Sequence, residues 1–139
     1  MEQVVFESVS YSAVCQDCGT ELECRGTQAL VDGRLRWDVE ATCSACGEAL
    51  AVCGGAMPAE RRDQMLCEHG PARLHVSGPL VKGVAIMRVL RTELGIDLTS
   101  AKALLHRVVN GGCTGTLPEM EHLARKLQES GITAAATRP

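Results

Sequence analysis

Two short cysteine motifs constrain the fold of this chain more than any other feature of its sequence. Cys15-x-x-Cys18 and Cys43-x-x-Cys46 are each followed by a glycine, and 24 residues separate the two motifs. Two thiolates spaced in this way can bind one metal ion from a single tight turn, and two such turns complete a tetrahedral shell of sulfurs. The spacing therefore predicts one structural zinc ion per chain, with four ligands: Cys15, Cys18, Cys43 and Cys46.

The segment between the two motifs has the pattern of a β-hairpin. Residues 20–30 can leave the first motif as a strand, Val31-Asp32-Gly33 is a reverse-turn signal, and apolar residues alternate over residues 35–41. Strands of matched length would bring the second motif back beside the first. With further strands expected over residues 6–14 and 49–53, the first part of the chain is predicted to be an antiparallel zinc ribbon.

Other chemistry is open to the cysteines. A Cys-x-x-Cys pair can be a redox centre, but such a pair sits at the start of a helix beside a βαβ pattern, and the surroundings here favour strands. A disulfide framework is typical of secreted chains, whereas Met1-Glu2-Gln3 begins neither a basic nor an apolar region of a secretory signal. We expect the remaining cysteines to be small buried apolar residues. The alternative is a second metal site, with the ligands Cys24, Cys53, Cys67 and His69.

Charge is divided unevenly along the chain. Residues 1–70 hold 12 acidic and 5 basic side chains, whereas residues 71–139 hold 5 acidic and 9 basic ones. Nucleic-acid binding requires a basic surface, and single strands also need aromatic side chains for stacking, so the acidic ribbon is not expected to bind nucleic acid. Apolar runs such as residues 84–87 are too short to cross a bilayer. We therefore expect a soluble, cytoplasmic protein with no membrane partner.

The sequence after Gly70-Pro71 predicts a second, separate domain. After a break at Gly54-Gly55, we expect a helix over 58–69 that follows the ribbon. The second domain then begins with a strand over 73–77, stopped by Gly78-Pro79, and a helix over 80–94. Two further helices follow, one capped by Asp97 and ended by Asn110, the other opened by the Thr116–Glu119 capping box and closed by Gly131, and the last element is a strand over 132–137. This order, β-α-α-(β)-α-β, allows three helices to pack on one face of a small sheet. The chain is thus predicted to be α+β, with a zinc ribbon and trailing helix at 1–70 and a small α/β domain at 71–139.

The second domain also follows a known pattern. The matching stretches are Val84-Ala85-Ile86-Met87-Arg88-Val89-Leu90-Arg91, Leu94-Gly95-Ile96-Asp97-Leu98, Ala101-Lys102-Ala103-Leu104-Leu105, and the helix from Glu121 to Gly131. Through these stretches, residues 72–137 resemble the C-terminal domain of the bacterial ribosomal stalk protein. In that family the domain recruits translational GTPases through basic and apolar positions on its first two helices.

Carried over by position, this resemblance identifies candidate partner-binding residues. Arg88, Arg91 and Lys102 match basic positions of that family, whereas Gly83 and Thr99 stand where it has lysines and Asp97 replaces a glycine. Helical spacing adds His106, four residues after Lys102. If the two helices pack as a pair, these four side chains form one partly cationic surface that would steer an acidic protein partner: Arg88, Arg91, Lys102 and His106.

The adaptor of the Clp protease that reads N-terminal degrons is similar in fold. Here Val76-Ser77-Gly78 stands where that family has its Asn-Asp binding pair, so degron recognition is not expected. For catalysis the chain has no Walker-type phosphate loop and no His-Glu-x-x-His motif, which leaves Cys113 as a candidate exposed nucleophile with His106 or His122 beside it. We therefore expect a non-catalytic protein–protein interaction module, an adaptor or recruiting factor. The alternatives are an immunity or antitoxin protein and a zinc-ribbon protein that binds nucleic acid.

Overall fold

The chain folds into two compact units. A computed structural model describes residues 4–77 and 83–138, and the contacts divide the chain into Met1–His69 and Gly70–Pro139. The sheets are antiparallel and the described residues contain four helices, so the predicted α+β class is confirmed. Of these helices, none is both long and apolar enough to cross a membrane. The predicted stop at Gly78-Pro79 and the first turn of the predicted 80–94 helix lie outside the described residues.

The first unit is a four-stranded antiparallel sheet followed by a helix. Its elements are β1 (Val5–Val14), β2 (Glu21–Val31), β3 (Arg34–Thr42), β4 (Ala49–Gly55) and α1 (Ala59–His69). The strands lie side by side in chain order. Between β2 and β3, Asp32 and Gly33 both have a positive φ, 51° and 76°, as a two-residue hairpin turn requires. The hairpin predicted between the cysteine motifs is confirmed.

A single tryptophan organises the packing of this sheet. Trp37 on β3 is 5% exposed and packs with Val9 of β1 and Met65 of α1. Its ring lies directly over Gly26 of β2, so close that a Cβ atom at that position would overlap the ring. The absence of a side chain at residue 26 therefore makes room for the largest side chain of the unit.

The predicted end of β4 at Gly54-Gly55 is wrong. The strand continues through both glycines, and the register with β3 shifts between Val39 and Trp37, where a bulge inserts a residue into β4. Gly54 takes a φ of 77° and donates its N–H to Asp38 Oδ1 at 2.9 Å. The glycine pair bends the strand without ending it, because the aspartate replaces the lost ladder bond.

The second unit has three short strands and three helices. Its elements are β5 (Ala72–Ser77), α2 (Gly83–Leu94), α3 (Leu98–Val109), β6 (Thr114–Gly115), α4 (Leu117–Glu129) and β7 (Thr133–Thr137). Central β5 pairs antiparallel with β6 on one side and β7 on the other. The core is built without aromatic residues. Its fully buried members come from the sheet and all three helices: Leu74, Leu90, Val108 and Leu127.

Local signals set the helix boundaries of the second unit. Asp97 caps α3 by accepting the N–H of Ser100 at 2.7 Å, and Thr116 and Glu119 form the predicted capping box of α4. In the sequence of α2, Gly83, Ile86, Met87, Leu90 and Leu94 recur at helical spacing and predict one apolar stripe facing the core. This prediction is correct at Ile86 and Leu90, which are buried, but wrong at the last member. Leu94 is 46% exposed, because it lies in the last turn of the helix, beyond the residues that pack on the core.

Candidate metal centre

The two cysteine motifs form two turns of the same geometry. In the first, Gly19 donates its N–H to the Cys15 carbonyl at 2.9 Å, and in the second, Gly47 donates to the Cys43 carbonyl at 2.9 Å. Both glycines have a positive φ, 75° and 74°, a conformation that costs any other residue more. The glycine after each Cys-x-x-Cys is therefore required by the backbone of the turn.

The sheet brings the two turns together at one end. The four Sγ atoms lie within 4.8 Å of one another, and two of the pairs join the turns, with Cys15 Sγ 3.8 Å from Cys46 Sγ and Cys18 Sγ 3.5 Å from Cys43 Sγ. Four sulfurs arranged tetrahedrally at the zinc–sulfur bond length of about 2.3 Å are separated by about 3.8 Å. The cluster therefore has the size of a tetrahedral metal site. Within residues 4–77 and 83–138 it is the one group of three or more potential ligands so placed.

Burial differs between the two members of each turn. Cys15 and Cys43 are 3% and 2% exposed, and they pack on Leu22, Cys24 and Ala41 of the sheet. Cys18 and Cys46 are exposed. The buried pair attaches the site to the core of the unit, and the exposed pair closes it toward solvent. Four protein sulfurs fill a tetrahedral shell and leave no position for a substrate, as in structural rather than catalytic sites.

The electrostatics of the cluster favour a cation. The Thr20 oxygen lies 2.8 Å from Cys18 Sγ and 3.4 Å from Cys43 Sγ, within hydrogen-bonding distance of both sulfurs. Hydrogen bonding with Thr20 is the first cause that lowers the pKa of Cys18 and the main cause that lowers the pKa of Cys43 to about 6. At Cys46 the backbone of Glu48 favours the thiolate, but the neighbouring sulfurs and burial outweigh it and raise the pKa to about 12. Thiolates at adjacent cysteines thus repel one another, and a bound divalent cation would compensate their negative charge.

Thr20 was not identified by sequence reasoning. It follows the glycine of the first motif, where the second motif has Glu48. This difference between two otherwise matching turns was the available signal. Its hydroxyl reaches sulfurs of both turns, so Thr20 is a supporting residue of the cluster.

The alternative second metal site is not formed. Cys24 is buried beside the cysteine cluster, whereas Cys53 and Cys67 are exposed on β4 and α1. The His69 ring lies 2.7 Å from the Ser8 carbonyl through Nε2. These residues stand on separate elements, and they do not form a ligand group among the described residues. The expectation that all four leftover cysteines are buried is also wrong, because it holds only for Cys24 and Cys113.

Cys113 is not the exposed nucleophile that the sequence allowed. It is 4% exposed within the core of the second unit, and burial raises the pKa of its thiol. A protonated, enclosed thiol is a poor nucleophile. His122, one of its suggested partners, lies 3.1 Å from Glu93 Oε2 instead.

The four candidate partner-binding residues are all exposed, on two helices that contact each other. Arg88 and Arg91 lie on α2 and Lys102 and His106 on α3. Arg88 and Arg91 line a groove of about 520 Å³ together with apolar residues that the sequence analysis did not connect: Val84, Met87, Ile96 and Leu98. Lys102 and His106 lie outside this lining. The structure thus brings the two arginines together with an apolar surface.

No family model, curated protein or solved structure matches this chain. The chemistry of the centre is therefore inferred from its own residues. Those residues are four cysteines in two turns that each require a glycine, and a threonine whose hydroxyl group contacts sulfurs of both turns.

Proposed function

We propose that the cysteine cluster binds one zinc ion per chain and that this zinc is structural. Four thiolates are a ligand set that zinc prefers, and the protein fills all four positions. The apolar core on the sheet side of the cluster is small, which supports a metal that supplies much of the folding free energy of the first unit. For small zinc domains this contribution is on the order of 10 kcal/mol.

The zinc assignment is tested by a pair of cysteine variants. Cys43→Ser removes a buried ligand, whereas Cys53→Ser makes the same change at an exposed cysteine outside the cluster. We expect elemental analysis to give one zinc per chain for the wild type and Cys53→Ser and none that is stoichiometric for Cys43→Ser, with loss of the ribbon fold. Full zinc content in Cys43→Ser would refute the assignment. Stoichiometric iron in the wild type would refute zinc as the metal.

We further propose that the protein is a non-catalytic, cytoplasmic protein–protein interaction module, an adaptor or recruiting factor. In this proposal the zinc holds the first unit together, and the second unit recognises the partner as the C-terminal domain of the ribosomal stalk does. The element order from β5 to β7 and the pairing of α2 with α3 support that comparison. A metal held by four cysteines has no open position for a substrate, and the buried Cys113 is not accessible as a nucleophile. Both observations support a non-catalytic protein.

The groove beside α2 is the observation that carries the proposal. Two of its apolar lining residues are solvent-exposed, Val84 by 72% and Leu98 by 52%, and the other two, Met87 and Ile96, are half-buried. Exposed apolar residues with charged neighbours are typical of protein-binding sites. Arg88 and Arg91 supply the charge here, so the fitting partner is a protein segment that combines apolar and acidic side chains. The arginines would mainly raise the association rate, and the apolar contacts would hold the complex.

A matched pair of charge reversals tests this surface. Arg88→Glu/Arg91→Glu reverses the charge of the groove, and Arg73→Glu/Arg107→Glu makes the same change at exposed arginines outside its lining. We expect both variants to keep their fold and metal, and only the first to lose the protein that the wild type captures from extract of the native cell. Adding Lys102→Glu to the Arg73→Glu/Arg107→Glu control measures whether the partner-binding surface extends from the groove along α3. Unchanged capture by Arg88→Glu/Arg91→Glu would shift the binding site to the acidic ribbon and favour an immunity or antitoxin function.

A further inference from the structure

In the described part of the chain, the two edge strands of the first sheet, β1 and β4, differ in whether other side chains bond their outward-facing backbone groups. At the β1 edge, side chains of α1 bond the strand's backbone: Gln64 Nε2 donates to the Ser10 carbonyl at 2.8 Å, and the His69 ring lies 2.7 Å from the Ser8 carbonyl. Since a carbonyl only accepts, Nε2 of His69 carries the hydrogen. Helix α1 thus satisfies outward-facing backbone groups of β1. The opposite edge is β4, and all seven of its residues are exposed.

The register identifies which backbone groups β4 turns outward. Cys43 N–H donates to the Glu48 carbonyl at 2.8 Å, which makes these two residues a hydrogen-bonded pair between the strands. Bonding alternates along an antiparallel ladder, so the Ala41–Leu50 and Val39–Val52 pairs are also bonded. The N–H and C=O groups of the intervening residues point away from β3: Ala49, Ala51 and Cys53.

The side chains of this edge are apolar. Leu50 and Val52 are 45% and 54% exposed, and no charged residue occurs between Glu48 and Glu60. Edge strands of monomeric proteins are normally protected by lysine, proline or a covering element. Before the bulge at Gly54, β4 contains no lysine or proline, and within the described residues all seven positions of the strand are exposed.

We propose that β4 pairs with β4 of a second copy of this chain, antiparallel about a two-fold axis at Ala51. In this register Ala51 stands opposite Ala51, Ala49 opposite Cys53, and Leu50 opposite Val52. We call residues 49–53 the strip. Every outward N–H and C=O group on the strip then gains a hydrogen-bond partner, and each exposed apolar side chain gains an apolar neighbour. The two four-stranded sheets become one sheet of eight strands. The inference does not depend on the proposed function.

Residues 49–53 are self-complementary in this register, which favours a second copy as the occupant. The outward-bonding residues 49, 51 and 53 are placed evenly about Ala51, and so are Leu50 and Val52. The first charged residue before the strip, Glu48, stands opposite Gly54 and not opposite another carboxylate. The same edge can therefore serve both partners, as a two-fold interface requires.

The charge of the first unit sets the conditions under which this pairing occurs. Residues 1–70 hold 12 acidic and 5 basic side chains, so two copies repel each other beyond the strip. Salt screens repulsion between exposed charges over about 10 Å at 0.1 M. One paired edge buries little area, which is typical of weak complexes. We expect a dissociation constant on the order of 10 to 100 μM that falls as salt is raised.

Sedimentation of the purified chain, with its metal content measured, tests the proposal. The variant Ala51→Lys places two lysines opposite each other at a Cα separation of about 5.5 Å. The control Ala13→Lys makes the same change at an exposed alanine of the other edge strand. We expect dimers for the wild type and the control, and at least tenfold weaker association for Ala51→Lys at equal zinc content. A wild type that stays monomeric at high concentration, or an Ala51→Lys variant that dimerises normally, would overturn the proposal.

Amide hydrogen exchange tests the same register without a substitution. Upon dilution of the wild type, the Ala49, Ala51 and Cys53 amides should exchange faster, because their protection depends on the second copy. The Leu50 and Val52 amides, which bond β3 within one chain, should not change. Concentration-independent exchange at all five positions would contradict pairing through β4, even if the protein dimerised by another surface.

Discussion

Two residues of the first unit, Gly26 and Thr20, make contacts that a residue of similar size could not make. Gly26 is one, since the Trp37 ring occupies the space of its missing side chain. Thr20 is another, since one hydroxyl contacts sulfurs from both turns of the metal centre. Both roles join residues that are distant in sequence.

The substitution Gly26→Ala should destabilise the first unit by several kcal/mol. The added methyl group overlaps the ring of Trp37, and overpacking a core costs about 1–3 kcal/mol or more when the neighbour cannot move. Gly55→Ala is the matched control, because a Cβ atom there meets no atom within 4 Å. Chemical denaturation followed by Trp37 fluorescence measures both. Equal stabilities for the two variants would contradict a close contact between Gly26 and the Trp37 ring.

Replacing Thr20 with valine should weaken metal retention while keeping the fold. Valine preserves the shape of threonine but removes the hydrogen bond to Cys18 Sγ, and loss of such supporting contacts typically lowers metal affinity about 10–100-fold. Transfer of zinc to a chromogenic chelator measures the effect. Thr42→Val, at an exposed threonine of β3, should transfer zinc at the wild-type rate. Identical rates for both variants would show that the hydroxyl has no influence on the metal.

At the scale of elements, the helices of the second unit are bounded by their own caps. Thr116 and Glu119 bond each other's backbone at the start of α4, and Asp97 accepts the Ser100 N–H at the start of α3. Carboxylates at a helix N-terminus are also stabilised by the helix dipole. The stability of α3 should therefore depend on the charge of Asp97.

The cap of α3 should lose strength at low pH. The backbone and side-chain hydrogen bonds of Ser100 hold the pKa of Asp97 below its ordinary value of 3.8. A lowered pKa in the folded state means that the stabilisation is complete above pH 3.8 and is lost as the pH falls through the folded-state pKa. Asp97→Asn keeps a capping side chain without the charge. The stability advantage of the wild type over Asp97→Asn in thermal melts should therefore shrink as the pH falls, and a constant difference would exclude the carboxylate as its source.

At the scale of the whole molecule, the two units differ in how their buried apolar residues are arranged. The buried residues of the first unit form two small clusters, one at the cysteines and one around Trp37, whereas the second unit has a continuous core from Ala72 to Ala134 and capped helices. Metal removal should consequently affect the two units unequally.

A fragment of residues 70–139 should fold without zinc. Its one cysteine, Cys113, is a core residue and cannot form a four-cysteine site. Under strong chelation, circular dichroism of the fragment should keep a helical spectrum and a cooperative melt. The full chain should lose protection of the β1–β4 amides under the same treatment. A random-coil spectrum for the fragment would mean that the two units depend on each other to fold.

Features specified by neighbouring residues were accessible from the sequence. The cysteine cluster, the hairpin turn at Asp32-Gly33 and the capped starts of α3 and α4 each depend on residues a few positions apart, or on a strand pair of matched length. Backbone geometry restricts such short patterns to few conformations. The motif spacing was therefore sufficient to predict a cluster that can hold a metal.

Features that depend on distant residues were decided only by the tertiary structure. The sequence left open an exposed, nucleophilic Cys113, which the structure excludes, and it wrongly predicted Leu94 as a core residue and Gly54 as the end of a strand. Packing of elements from elsewhere in the chain sets burial, and the Asp38 carboxylate lets β4 continue through its bulge. The contact of Thr20 with Cys43, the hydrogen bonds of α1 to the β1 edge and the exposure of β4 arise in the same way. Burial and edge exposure are properties of the assembled sheet, because the pattern of a single strand does not specify what lies beside it.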